Sequence, residues 1–220
     1  MHKAVVFDFD GVIVKSEPLH YRTFSETLAP LGITMDRRRW YKEFAGTGSH
    51  SIISRLLEEN GVRADLDALV ESRRELFNAY VRKGRLRPPP GLRRFLAEIR
   101  KKGIRTAIAS GGHRENIELI LVKIGLLKQF DAIVGSEEVK NRKPHPEIFL
   151  RAAERLGLPP DECVAVEDSI VGAESAARAG MTLVCFDSPA RESLNSSCVK
   201  IIDSFSEFPL ELLDGFHDKA

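Results

Sequence analysis

Asp8 and Asp10 stand where an apolar run, Ala4 to Phe9, ends in a turn at Gly11. That run reads as a strand buried in a parallel sheet, and open α/β sheets bind ligands beyond the carboxyl ends of their strands. Side chains two apart on a strand share a face. Like charges that close repel unless a cation or a shared proton intervenes, so the pair calls for a divalent metal or for divided acid and base roles. Alone, Asp-x-Asp-Gly also occurs in calcium loops and plain turns.

Three later segments add to it. The strand-like Ile104–Ala109 leads into Ser110-Gly111-Gly112 and a helical stretch from His113 to Ile124, so a hydroxyl and glycine amides meet a helix N-terminus, an anion cradle. Lys143-Pro144-His145-Pro146 precedes an amphipathic helix, with Lys143 extended by the proline after it. Cys163–Val166 ends in Glu167-Asp168-Ser169 before a helix over about 170–179, so a second acidic pair ends a second strand. Each has a simpler explanation: Ser110 as a helix N-cap, Lys143 as a solvated loop lysine, Glu167 and Asp168 as acids that complement a helix dipole.

Carboxylate, hydroxyl, lysine and carboxylate in that order, each at a strand end, resemble the four motifs of the haloacid dehalogenase-like hydrolases over essentially the whole chain. The likeness is to the branch with β-phosphoglucomutase and small sugar-phosphate phosphatases, through Asp8–Ile13, Ser16–His20, Lys143–Phe149 and Glu167–Gly172. It implies a magnesium-dependent phosphoryl-transfer enzyme. Asp8 is then the nucleophile that forms an aspartyl-phosphate, and Asp10 the general acid and base. Gly11, Ser110, Gly111 and Lys143 would bind phosphate. Asp8, the Asp10 carbonyl and Asp168 would hold Mg²⁺, with Glu167 a further ligand, direct or through water.

The remaining pattern alternates helix and strand, which predicts a doubly wound α/β parallel sheet, a Rossmann-like core over residues 1–14 and 88–220. Residues 15–87 read instead as helices, roughly 20–31, 36–44, 49–60 and 66–83, inserted in the first βα connection. By resemblance this is an all-α cap that closes over the site and selects the substrate. His20 matches a cap-entry histidine and Gly46 a loop glycine of the mutase-like pattern. The flanking Ala45, Ser49 and His50 lack the basic groups of the mutase, which weakens bisphosphate chemistry. Arg73 and Arg74 lie near a cap position that is basic in the family the chain resembles, and alternating helix charges explain them equally well.

At 220 residues, 43% hydrophobic and 30% charged, the chain has the composition of a globular protein with a sizeable core. A net charge of +1 discourages nucleic-acid binding, although residues 15–87 carry +4 and the rest −3. Arg37-Arg38-Arg39 has no interleaved aromatics and reads as a solvated helix face. Cys163, Cys185 and Cys198 are too scattered for a disulfide framework, no leader is expected ahead of the first strand, and no apolar run reaches the roughly 18 residues of a membrane helix. A cytoplasmic enzyme, monomeric or weakly homo-oligomeric, with a small phosphorylated metabolite as its partner and neither nucleic acid nor membrane, is expected. Hydrolysis of a sugar phosphate monoester ranks first, mutase activity second, and a non-catalytic binding protein on the same fold third.

Overall fold

The computed structural model describes residues 1–44, 47–84, 86–188, 194 and 198–215. Its first strand, β1 (Ala4–Phe7), is buried along its whole length, as a central strand of a two-sided layer must be. The helices that follow are α1 (Glu17–Leu28), a single turn α2 (Arg37–Arg39), α3 (Ser49–Glu59) and α4 (Leu66–Lys83). The chain then alternates α5 (Leu92–Lys101), β2 (Arg105–Ala109), α6 (Arg114–Lys123), β3 (Ala132–Val134), α7 (Glu147–Leu156), β4 (Cys163–Glu167), α8 (Ile170–Arg178), β5 (Thr182–Phe186) and β6 (Lys200–Ile202).

All strand pairs are parallel, in the order β3-β2-β1-β4-β5-β6. The chain runs outward from β1 to one edge, then returns to lay β4 against the other side of β1. The order therefore reverses between β1 and β4, and a crevice at their carboxyl ends is where such sheets bind ligands. Alternation along β1 covers both faces: Val6 joins Phe149, Ala152 and Ala173, whereas the Phe7 ring meets those of Phe95, Phe130 and Phe205.

The chain divides into two compact units, 1–15 with 87–220, and 16–86. Every regular element of the second among its described residues is a helix, and the unit has its own core around Phe24, Leu28, Trp40, Phe44, Ile53 and Leu56.

Three elements differ from the sequence expectation by more than a residue at an end. The first strand stops at Phe7, not Phe9, because the Phe9 carbonyl accepts from Ile13 and Val14 in a tight turn, although Phe9 is as buried as a strand residue. Helix α1 starts at Glu17, with Pro18 in its first turn where a missing N–H costs nothing, and it ends at Leu28 ahead of a 3₁₀ turn. The expected helix over 36–44 is α2 followed by a π-helical turn, Trp40–Phe44, whose two terminal rings enter the unit's core. Arg39 is held bidentately by Glu59, in keeping with a surface role for the arginine cluster.

Candidate active site

The ends of β1 and β4 meet through the backbone: Asp8 N–H donates to the Val166 carbonyl at 2.9 Å. One Asp8 oxygen, Oδ1, accepts from Lys143 Nζ at 2.5 Å, and the same ammonium reaches Glu167 Oε1 at 2.6 Å. Lys143 arrives from the β3–α7 connection, where its peptide bond to Pro144 is cis. All three side chains are at least nine-tenths buried, so this is not a solvated loop lysine. Gly11 has φ +87°, and a Cβ there would overlap the Asp168 carboxylate, so only glycine lets the turn after β1 approach the turn after β4.

The β2 loop closes the group. A Cβ on Gly112 would lie 3.4 Å from Ser110 Oγ and 4.0 Å from Asp10 Oδ2, so these two side chains flank the same glycine. Nothing approaches within 4 Å of a Cβ position on Gly111, which leaves that side of the loop open. Ser110 does not cap α6. The cap residue is His113, whereas Ser110 Oγ accepts from Gly112 N–H at 3.0 Å, which orients the buried hydroxyl. Nor do Glu167 and Asp168 start α8: its cap is Ser169, which accepts from Gly172 N–H, and Glu167 is the fully buried last residue of β4.

The carboxylates of Asp8, Glu167 and Asp168 lie within 4.8 Å of one another. Three acids facing one ammonium leave an excess of negative charge that a divalent cation would balance, and an all-oxygen donor set suits a hard ion. Asp10 belongs to the expected ligands through its main-chain carbonyl, and its carboxylate is outside that group.

Burial pushes the Asp8 carboxyl up to about 8, with Lys143 acting against the rise and Glu167 and Asp10 adding to it. Burial also opposes the charge on Lys143, but Asp8 and Glu167 outweigh it and hold the ammonium above its ordinary value. Lys143 is therefore a permanent cation. From 3.8 to about 8 the folded chain binds the Asp8 proton more tightly than the unfolded chain, so stability falls as pH rises through that window. A cation that binds the ionised carboxylate reverses the loss. Magnesium is expected to raise the melting temperature more at about pH 8 than at about pH 5; calorimetry that shows the opposite order would contradict this electrostatic account.

Residues 2–180 match the haloacid dehalogenase-like hydrolase family. The chain belongs to that family. The hydrolase is 30% identical to hexitol phosphatase B of Escherichia coli K12 over 212 residues, which cover 87% of this chain and 86% of that one. A crystallised variant of CbbY from Rhodobacter sphaeroides, in complex with xylulose-(1,5)bisphosphate, has a TM-score of 0.86 at 29% identity, over 97% of this chain and all of its own. The β-phosphoglucomutase of Clostridium difficile has a TM-score of 0.86 at 25% identity, over 96% and 95% of the two chains.

In this hydrolase the residues brought together, Asp8, Asp10, Gly11, Ser110, Lys143, Glu167 and Asp168, all belong to the sheet unit. His20 belongs to the helical unit, and Gly46 lies outside the described residues. Within the helical unit the structure separates two arginines that look alike in sequence. Arg74 is a half-buried helix charge paired with the exposed Glu71 at 2.7 Å. Arg73 is buried, lies over the Phe24 and Phe77 rings, and meets His20 Nδ1 and Ser49 Oγ. His20 itself stacks on Phe77, at 4.5 Å between ring centres. No local signal distinguishes residues 73 and 74; only the side of α4 that faces the unit's core does.

Proposed function

We propose that this hydrolase is a Mg²⁺-dependent phosphatase of a small phosphorylated metabolite, in the first instance a sugar phosphate monoester, and that it works through an aspartyl-phosphate on Asp8. The single observation that carries this is the Asp8 carboxylate: Oδ1 is clamped by Lys143, whereas Oδ2 meets no donor among the described residues. A carboxylate fixed by one oxygen and open at the other is prepared for in-line attack on phosphorus.

Asp8 forms the new P–O bond as the bond to the leaving oxygen breaks, and Asp10 donates the proton that the departing alkoxide needs. Asp10, now ionised, takes a proton from water, whose oxygen attacks phosphorus, releasing phosphate and restoring Asp8. The Ser110 hydroxyl, the Gly111 amide and Lys143 neutralise the equatorial oxygens throughout, whereas the Gly11 N–H, expected from the sequence to join them, is spent on the Val14 carbonyl at 2.8 Å. Mg²⁺, held by Asp8, Asp168 and the Asp10 carbonyl, would supply Lewis-acid charge neutralisation when bound.

Residues 1–14 and 88–220 are the catalytic core in this account, and residues 15–87 the cap that selects the substrate, with His20 and Gly46 in it. The β-phosphoglucomutase likeness favours a second possibility, in which a sugar hydroxyl rather than water captures the phosphoryl group. Assays of sugar and sugar-alcohol monophosphates with Mg²⁺ separate the two: phosphate release supports the phosphatase, and isomerisation without release the mutase. Asp10→Ala is expected to lower kcat/KM, which reports the steps up to departure of the leaving group, by about 10²–10⁴-fold for an alkyl phosphate and far less for p-nitrophenyl phosphate, whose leaving group needs no proton; the later attack of water is common to both. Equal losses on both would remove Asp10 from the acid role.

No helix among the described residues is long and apolar enough to cross a membrane. A cytoplasmic setting belongs to the same proposal.

A further inference from the structure

We infer that Glu137 is a positioning residue: from the loop after β3 it supplies the cap that α6 lacks, and so braces the Ser110–Gly112 loop for phosphate. The inference rests on the phosphatase reading above, in which that loop binds the phosphate.

The loop has little to hold it from within. Two successive glycines leave its backbone without side-chain restraint, and His113, the N-cap residue of α6, makes no side-chain cap bond. The first amide of the helix is satisfied from another loop instead. Arg114 N–H donates to Glu137 Oε1 at 3.0 Å, with Oε2 at 3.4 Å, which also places a carboxylate at the positive end of the helix. The Glu137 side chain is 40% exposed, so solvent screens its charge, and the accepted hydrogen bond is what restrains the loop.

The surrounding backbone is built around this contact. Ser110 N–H donates to the Val134 carbonyl at 3.1 Å, and Ser136 N–H donates to the Gly112 carbonyl at 2.9 Å. The end of β3 and the turn after it therefore grip the phosphate loop at both its ends. Between those two bonds stands the buried Gly135, where a Cβ would lie 2.6 Å from Arg114 N and 2.7 Å from Glu137 Oε2. Its φ of −99° is open to any residue, so the close approach of the two loops, not the backbone conformation, calls for glycine. A shift of the gripped Gly112 is felt by Ser110 Oγ and Asp10 Oδ2, which flank it.

The adjacent acid does something different. Glu138 Oε1 accepts from Gly135 N–H at 3.1 Å and Oε2 pairs with Arg155 of α7 at 2.5 Å. Glu138 thus fastens the turn to itself and to α7, whereas Glu137 fastens it to α6.

Inorganic phosphate is the probe, through its inhibition of p-nitrophenyl phosphate hydrolysis with Mg²⁺. Glu137→Ala is expected to raise the inhibition constant by about three- to tenfold, the factor that one lost helix cap represents. Gly135→Ala, which forces the two loops apart, is expected to raise it by about 10–100-fold; should that variant fail to fold, Glu137→Ala, on the exposed side of the contact, decides. Glu137→Gln is expected to stay within about twofold of the unaltered enzyme, because its amide oxygen still accepts from Arg114 N–H and its NH₂ can donate to His113 Nδ1, which lies 3.5 Å from Oε2.

A merely stabilising role for Glu137 would lower the melting temperature and leave the inhibition constant of the folded enzyme unchanged, and a role for its charge alone would make Glu137→Gln as poor as Glu137→Ala. Either result overturns the inference. Ser110→Ala tells this failure from that of the reading beneath it. If Ser110→Ala weakens phosphate inhibition and Glu137→Ala does not, only the role of Glu137 falls; if neither does, the phosphate-binding reading of the loop falls, and the inference with it.

Discussion

Asp8→Asn is expected to lower turnover by at least about 10⁴-fold, or roughly 5.5 kcal/mol of transition-state stabilisation, while the protein stays folded. Asparagine keeps the shape of the side chain and can accept from Lys143 through its amide oxygen, but a neutral amide is a poor nucleophile toward phosphorus. The size of the loss follows from position as much as chemistry. Asp8 is clamped by Lys143 and tied through its own N–H to the Val166 carbonyl, so no neighbouring carboxylate can take its place. Circular dichroism together with steady-state rates on p-nitrophenyl phosphate decides it: a folded variant that keeps a tenth or more of the rate would remove Asp8 from the nucleophile's role.

Lys143→Met should be the most destabilising change at the site as well as a severe catalytic one. Methionine replaces most of the aliphatic stem, but Asp8 and Glu167 then face each other, nine-tenths or more buried, without their shared counter-charge. Removing one partner of a buried ion pair costs about 3–5 kcal/mol, which for a chain of this size lowers the melting temperature by roughly 6–20 °C. With the ammonium gone, Asp8 loses the influence that opposes its upward shift, so the destabilisation should deepen as pH rises. Calorimetry across pH measures this. A melting temperature within about 2 °C of the parent, or a deficit that shrinks at high pH, would show that the lysine is not the counter-charge its geometry describes.

What could be read from sequence was the part carried by residue type at a strand end. Asp8, Ser110 and Glu167 each follow a short apolar run, whereas Lys143 stands in a polar connection and is marked by the proline after it; a buried parallel strand is among the least ambiguous signals when helices separate its copies. The six-stranded parallel sheet follows from that alternation. Boundaries were harder where burial and secondary structure part company, as at Phe9, which is buried like a strand residue yet already belongs to the turn. The π-helical turn at Trp40–Phe44 has no signature of its own, since it fits the same apolar spacing as an α-helix.

The finer chemistry depends on partners distant in the chain. That Glu167 spends both oxygens on protein donors follows from Lys143, which stands 24 residues away, and from a turn whose conformation no local pattern announces. Arg73 and Arg74 illustrate the same point on one helix: adjacent identical residues fall about 100° apart, and one points into the core of the helical unit while the other, half-buried, pairs with Glu71.

The most direct test of the account is a single turnover on excess enzyme with p-nitrophenyl phosphate and Mg²⁺, quenched in acid at early times, with the peptides mapped by mass spectrometry. A phosphoryl adduct on the peptide that carries Asp8, rising and decaying on the timescale of turnover and absent from Asp8→Asn, is the predicted result. Phosphate release at full rate with no adduct at any time, or an adduct on a different residue, would contradict it.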